Sequence, residues 1–197
     1  MTFLLVPVST DELIHLSGVT MASSLARVVF AGMVVLASGE RMCEAKDVQP
    51  LNKDGLSTCT AFRFTFEVLS SSQHATIAAM LPASSVGTLM YRQSELGSEG
   101  AVALGAALSE STQLTTLTIR EDNIGLEGAR AVAQVLTAGV RLSLLDLRQA
   151  RLTPEGGMLL ADALRNNSDL AVLNLRAAGI GQAGAIAVAA ALQVRTG

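Results

Sequence analysis

From residue 86 onward the apolar positions of the chain recur with a period of 28. Leu114, Leu142 and Leu170 share one column, Leu117, Leu145 and Leu173 the next, and Ile119, Leu147 and Leu175 a third. Behind them stand Ile124, Leu152 and Ile180, then Gly128, Gly156 and Gly184, and finally Leu136, Leu164 and Leu192. One step back, Val86, Leu89, Tyr91, Leu96, Gly100 and Leu108 take the same places. Self-similarity at a period of this size marks an array of stacked supersecondary units. A further unit fits with a step of 27, placing Cys59, Phe62, Phe64, Leu69 and Leu81 in the apolar columns and Gln73 where the other units have glycine.

Each unit reads as a strand followed by a helix. In the stretch from Leu142 to Leu147 the apolar residues at 145 and 147 alternate, as a half-buried strand requires. Thr153-Pro154-Glu155 then supplies a helix N-cap with proline at the first helical position. Leu160, Ala161 and Leu164 line one face of the helix that follows. No single unit can bury its apolar face, so neighbours must stack over a shared core. The glycine column is expected to let each helix approach its neighbour closely, since a side chain there would hold the two apart.

These columns resemble the ribonuclease-inhibitor-like class of leucine-rich repeat, whose unit reads roughly L-x-x-L-x-L-x-x-N-x-L and then a helix. The resemblance covers residues 86–197 most fully and extends over 59–85. It implies an α/β leucine-rich-repeat solenoid: a short horseshoe arc with a parallel sheet on the concave face and helices on the convex face. The expected units are 59–85, 86–113, 114–141, 142–169 and 170–197, preceded by 1–58 as an N-terminal cap or degenerate repeats. Where the family places asparagine, this chain has Ser94, Asp122, Ala150 and Ala178, so its turns are expected to be looser. In the first segment a strand over Phe3–Val8 and a helix opening at Ser9, with Glu12 completing a capping box, are expected. The last helix ends without a polar capping unit, and this suggests either docking of that end on a partner or a chain that belongs to something longer.

Composition narrows the function classes. Hydrophobic residues make up 50% and charged residues 16% of the 197, too apolar for a disordered chain. Aromatics are only 3% and tryptophan is absent, so the core must be aliphatic and rich in alanine. A net charge of −3 exerts no global pull on nucleic acid, and a nucleic-acid partner is not expected. The apolar run Val28–Ala37 is ten residues long, short of the ~18 that would span a bilayer. It reads as a buried strand in preference to a signal-peptide core, and no membrane association is expected. Cys43 and Cys59 are too few for a disulfide framework and read as two buried reduced thiols in a cytoplasmic protein. Asn166-Asn167-Ser168 matches a glycosylation acceptor, a triplet that arises readily by chance.

No catalytic constellation stands out. His15 and His74 lie in different segments without cysteine or carboxylate at ligand spacing, and both read as ordinary surface or half-buried residues. The glycines recur because the units do, so no phosphate-binding loop is implied. No enzyme activity, metal or cofactor is expected. The feature above background is a row of arginines, Arg92, Arg120, Arg148 and Arg176, each directly after the third apolar residue of its strand. Strands about 4.8 Å apart would stack them into a ladder. The next column is Gln93, Glu121, Gln149 and Ala177, while Asp146, Asn174 and Thr118 share the arginines' face. Guanidinium groups grip carboxylates and phosphates, although the mutual repulsion of the ladder, roughly 0.8 kcal/mol per pair in water, is small enough to be borne without a ligand.

The expected function is therefore a non-enzymatic protein-protein interaction module or a structural subunit of a larger assembly, cytoskeletal or ribosomal. It would hold a protein partner with an acidic segment through Arg92, Arg120, Arg148, Arg176, Glu121, Asp146, Asn174 and Thr118, and could also use its C-terminal end. The family resemblance also implies two alternatives. One is regulation of a small GTPase, as in the Ran GTPase-activating proteins. The other is actin or innate-immune recognition, as in tropomodulin and the Nod-like receptors.

Overall fold

A computed structural model describes residues 28–30, 33–35, 41–44, 59–66 and 68–194. The elements expected at Phe3–Val8 and from Ser9 lie outside the described residues, as does His15. The chain is an α/β structure. Its strands are β1 (Val28–Phe30), β2 (Met33–Val35), β3 (Arg41–Glu44), β4 (Ala61–Thr65), β5 (Thr88–Arg92), β6 (Thr116–Arg120), β7 (Leu144–Asp146) and β8 (Val172–Asn174). The helices among the described residues are α1 (Ser71–Met80), α2 (Gly97–Leu108), α3 (Gly125–Thr137), α4 (Pro154–Arg165) and α5 (Gly181–Val194).

The eight strands form one sheet in chain order, and β3 to β8 run parallel. Thr88 pairs with Thr116, Thr116 with Leu144, and Leu144 with Val172, so the register advances by the same 28 residues as the apolar columns. Between β4 and β5 the step is 27, with Phe62 opposite Leu89 and Phe64 opposite Tyr91. A parallel pair needs a crossover, and a helix supplies it in each unit from β4 onward. The apolar run near residue 30 forms two strands in place of the single strand expected. Phe30 pairs with Met33 and Val28 with Val35, so β1 and β2 are antiparallel neighbours.

Alternation within the strands decides where the core lies. Leu89, Tyr91, Leu117, Ile119, Leu145 and Leu147 point to one face and share a single buried cluster with Leu104, Leu108, Val132, Val135, Leu160 and Leu164 of the helices. Each helix contacts the next along the chain. The glycine column sets their distance: a Cβ on Gly128 would lie 3.1 Å from the Ala101 Cβ, and one on Gly156 would lie 2.7 Å from the Ala129 Cβ. Helix starts follow local chemistry. Thr153 caps α4 by accepting from the Gly156 N–H, with Pro154 in the first turn. Ser70 and Gln73 form a capping box at α1, which gives a local role to the residue that replaces glycine in that unit.

Three expectations need correction. First, Cys43 and Cys59 are joined in a disulfide rather than reduced. Parallel pairing of β3 with β4 sets Cys43 opposite Phe62, and Cys59 lies two residues before β4, which brings the two Cα atoms to 5.9 Å. Such bonds persist in oxidising compartments, so the expected cytoplasmic location loses the support the cysteines lent it. Among the described residues, no helix is long and apolar enough to cross a membrane. Second, His74 is fully buried, neither at the surface nor half-buried. The missing side chain of Gly100 leaves room for its ring, which tilts against the Tyr91 ring at 5.7 Å.

Third, the turns are tied despite lacking asparagine. Asp122 is buried, and its Oδ1 accepts from the Ser94 N–H at 3.0 Å and the Leu96 N–H at 3.2 Å. Where alanine stands, the main chain does the work: the Ala150 carbonyl accepts from the Ile124 N–H, and the Ala178 carbonyl from the Leu152 N–H. Ser94 Oγ donates to the Phe64 carbonyl. Small buried residues let neighbouring turns come close enough for these direct bonds.

Candidate functional site

The open face of the sheet, opposite the helices, brings all four arginines together. Arg92, Arg120, Arg148 and Arg176 line a shallow cleft of about 300 Å³ with Glu121, Gln149 and Ala177. Two local devices place them. On β5 and β6 the arginine is the last residue of a five-residue strand, with Arg92 directly opposite Arg120. On the shorter β7 and β8 the residue two places earlier accepts from the arginine's own N–H. Asp146 Oδ1 bonds the Arg148 N–H and Asn174 Oδ1 the Arg176 N–H, each at 3.1 Å. Such short side chains end strands by offering the backbone a local acceptor.

Carboxylates interleave with the cations. Asp146 is 4% exposed. Its Oδ2 accepts from Arg120 Nε at 2.9 Å and lies 3.1 Å from a terminal nitrogen of Arg148. One buried carboxylate thus holds two guanidinium groups. Charge-assisted bonds of this kind are about twice as strong as neutral ones, and they offset the repulsion within the ladder. Glu121 takes Arg92 Nε at 3.2 Å and the Gln93 amide. At the β8 end, the Arg176 guanidinium has no carboxylate partner among the described residues. Four arginines against Glu121 and Asp146 leave the cleft at +2, on a chain of net charge −3.

The other expected site residues divide by exposure. Asn174 is half-buried and reaches the cleft through its tie to Arg176. Thr118 is buried, so it supports the sheet and offers no surface to a ligand. Asp146 is equally enclosed and acts by positioning arginines. Glu121 remains half-exposed on the cleft wall. The residues beside the arginine row share a further property: Phe66, Gln93, Glu121, Gln149 and Ala177 all have φ between 49° and 59°. The N–H of each of the first four donates to the carbonyl of the arginine one strand on. Left-handed backbone at five aligned non-glycine positions is sparsely populated elsewhere, and three of these residues, Glu121, Gln149 and Ala177, line the cleft.

No protein-family model and no curated protein matches this chain. The case for a function therefore rests on the cleft itself. The column beside the arginines, Gln93, Glu121, Gln149 and Ala177, extends one strand further back than its 28-residue period indicates. Phe66 stands one step of 27 before Gln93, so the signal was present once β4 was counted as a strand of the same sheet. Among the described residues no group of three His, Cys, Asp or Glu side chains could hold a metal ion. His74 lies on the helix side of the sheet, away from the cleft. Burial lowers its pKa, and neither ring nitrogen has a hydrogen-bond partner among the described residues, which suits a neutral packing residue.

Proposed function

We propose that this chain is a short leucine-rich-repeat solenoid whose arginine cleft holds an acidic segment of a protein partner, in a non-enzymatic role. The uniform 28-residue register and the sheet-and-helix layering support the solenoid reading. The observation that carries the binding reading is the cleft charge of +2, concentrated at the β8 end where Arg176 is uncommitted. Shaped positive clefts focus field lines and raise the local concentration of anionic ligands. Guanidinium groups match carboxylates in geometry. Rigid strands keep the donors fixed, so little ordering is required on binding.

The test uses a fluorescein-labelled hexaglutamate peptide and anisotropy titration of the full chain. Arg176→Glu takes the cleft from +2 to zero, and the peptide's affinity should fall at least about tenfold, with a shallower dependence on salt. Reversing both Arg148 and Arg176 should abolish binding. A change of less than twofold in the double variant would sink the proposal.

A further inference from the structure

One residue beside Arg92, at the β4 end of the arginine row, is not explained by folding. Phe66, directly after β4, is 66% exposed and has φ 57°. An exposed ring leaves apolar surface in water, and a bulky side chain disfavours left-handed backbone. The turn itself needs only a backbone donor, the Phe66 N–H, bonded to the Arg92 carbonyl at 3.1 Å. Asparagine or glycine would serve that turn with less strain. The ring instead lies under the Arg92 guanidinium, 5.8 Å from Cζ to centroid, in contact with the first cation of the row. Val68, two residues on in sequence, is also exposed, at 70%.

We propose that Phe66 is the apolar anchor of the cleft, which takes an extended peptide of about six residues with a hydrophobic side chain at one end and carboxylates at the other. This rests on the acidic-segment reading above and specifies its ligand. The length follows from the sheet. Phe66 and Arg176 are four strand steps apart, about 19 Å at 4.8 Å per step, and an extended chain covers that in about six residues. The polarity follows from the charges. Arg92 is engaged by Glu121 and the ring, while Arg176 at the far end is open to a carboxylate. A peptide is favoured over a nucleic-acid strand because the cleft carries only two uncompensated positive charges, concentrated at the β8 end, whereas a nucleic-acid strand brings a phosphate charge at every step along its length.

Three labelled hexapeptides in a Gly/Ser background test this by anisotropy. One carries leucine at one end and three glutamates at the other, one has the same composition with leucine among the glutamates, and one has the three glutamates without leucine. The segregated peptide should bind at least about tenfold more tightly than either of the others. Phe66→Asn, which tolerates the left-handed backbone, should remove that preference while circular dichroism and the thermal midpoint stay at parental values. Equal affinities in the parent, or a preference that survives Phe66→Asn, would overturn the anchor and leave the acidic cleft intact. No binding of any glutamate peptide would overturn the cleft reading and the anchor with it. Displacement of the segregated peptide by an equal concentration of oligouridine would overturn the peptide assignment in favour of nucleic acid.

Discussion

Replacing Asp122 with alanine is expected to destabilise the protein by about 2–4 kcal/mol. The figure comes from two donors. Asp122 Oδ1 accepts the N–H groups of Ser94 and Leu96 at 3.0 and 3.2 Å, and both residues are buried. Each buried N–H left without an acceptor costs about 1–3 kcal/mol. Against this stands a partial relief. Burial raises the Asp122 pKa, and the backbone N–H bonds only partly counter it, so folding disfavours the ionised carboxylate. Asp122→Asn separates the two effects, because it keeps the acceptor oxygen without the charge. The sign follows from linkage. A raised carboxylate contributes stability that is full below its ordinary pKa and is lost as pH rises through the raised value. Asn should therefore match Asp in acid and equal or exceed it near neutrality. Urea unfolding followed by far-ultraviolet circular dichroism measures both variants, and the alanine change should lower the thermal midpoint by about 5–15 °C at this chain length. An alanine variant within about 0.5 kcal/mol of the parent would refute the assignment of Asp122 as the tie between turns.

Three further outcomes are expected. Gly105→Ala should destabilise by about 1–2 kcal/mol, because the overpacking cost exceeds the gain in helix propensity. Its Cβ would sit 2.6 Å from the Ala131 Cβ and 3.0 Å from backbone atoms of Ala131, and a raised urea midpoint would contradict this. His74 is buried with a lowered pKa, so its contribution is present above the ordinary histidine value and is lost as pH falls through the lowered one. The fall in urea midpoint on acidification below about pH 6.5 should flatten in His74→Leu, and an unchanged slope would exclude His74 as its source. Reduction of the Cys43–Cys59 bond, which closes a loop of sequence separation 16, should cost about 3 kcal/mol. Urea midpoints with and without reductant measure it, and two free thiols titrated in the unreduced, unfolded chain would contradict the bond.

Much of the fold is legible along the chain because the strand register advances by the same 28 residues as the apolar columns. Leu117 meets Leu145, and Leu145 meets Leu173, as their shared column leads one to expect, because a strand-and-helix pair buries its apolar face against the pair beside it. The glycine column, the Thr153 cap and the arginine row follow from that local logic. The tertiary structure decided what depends on approach between different units. Asp122 substitutes for asparagine because its oxygen reaches the turn before it. Cys59 meets Cys43 because β3 lies beside β4 with a step of 19 between Met42 and Ala61, which no repeat period announces. Asp146 binds two arginines at once, and the seclusion of His74 depends on a glycine one unit away. The charge of the cleft is likewise a tertiary quantity: the column counts four cations, and only the packed sheet shows which carboxylates neutralise them. Periodicity specifies which residues are neighbours, whereas distance and burial determine what those neighbours do to one another.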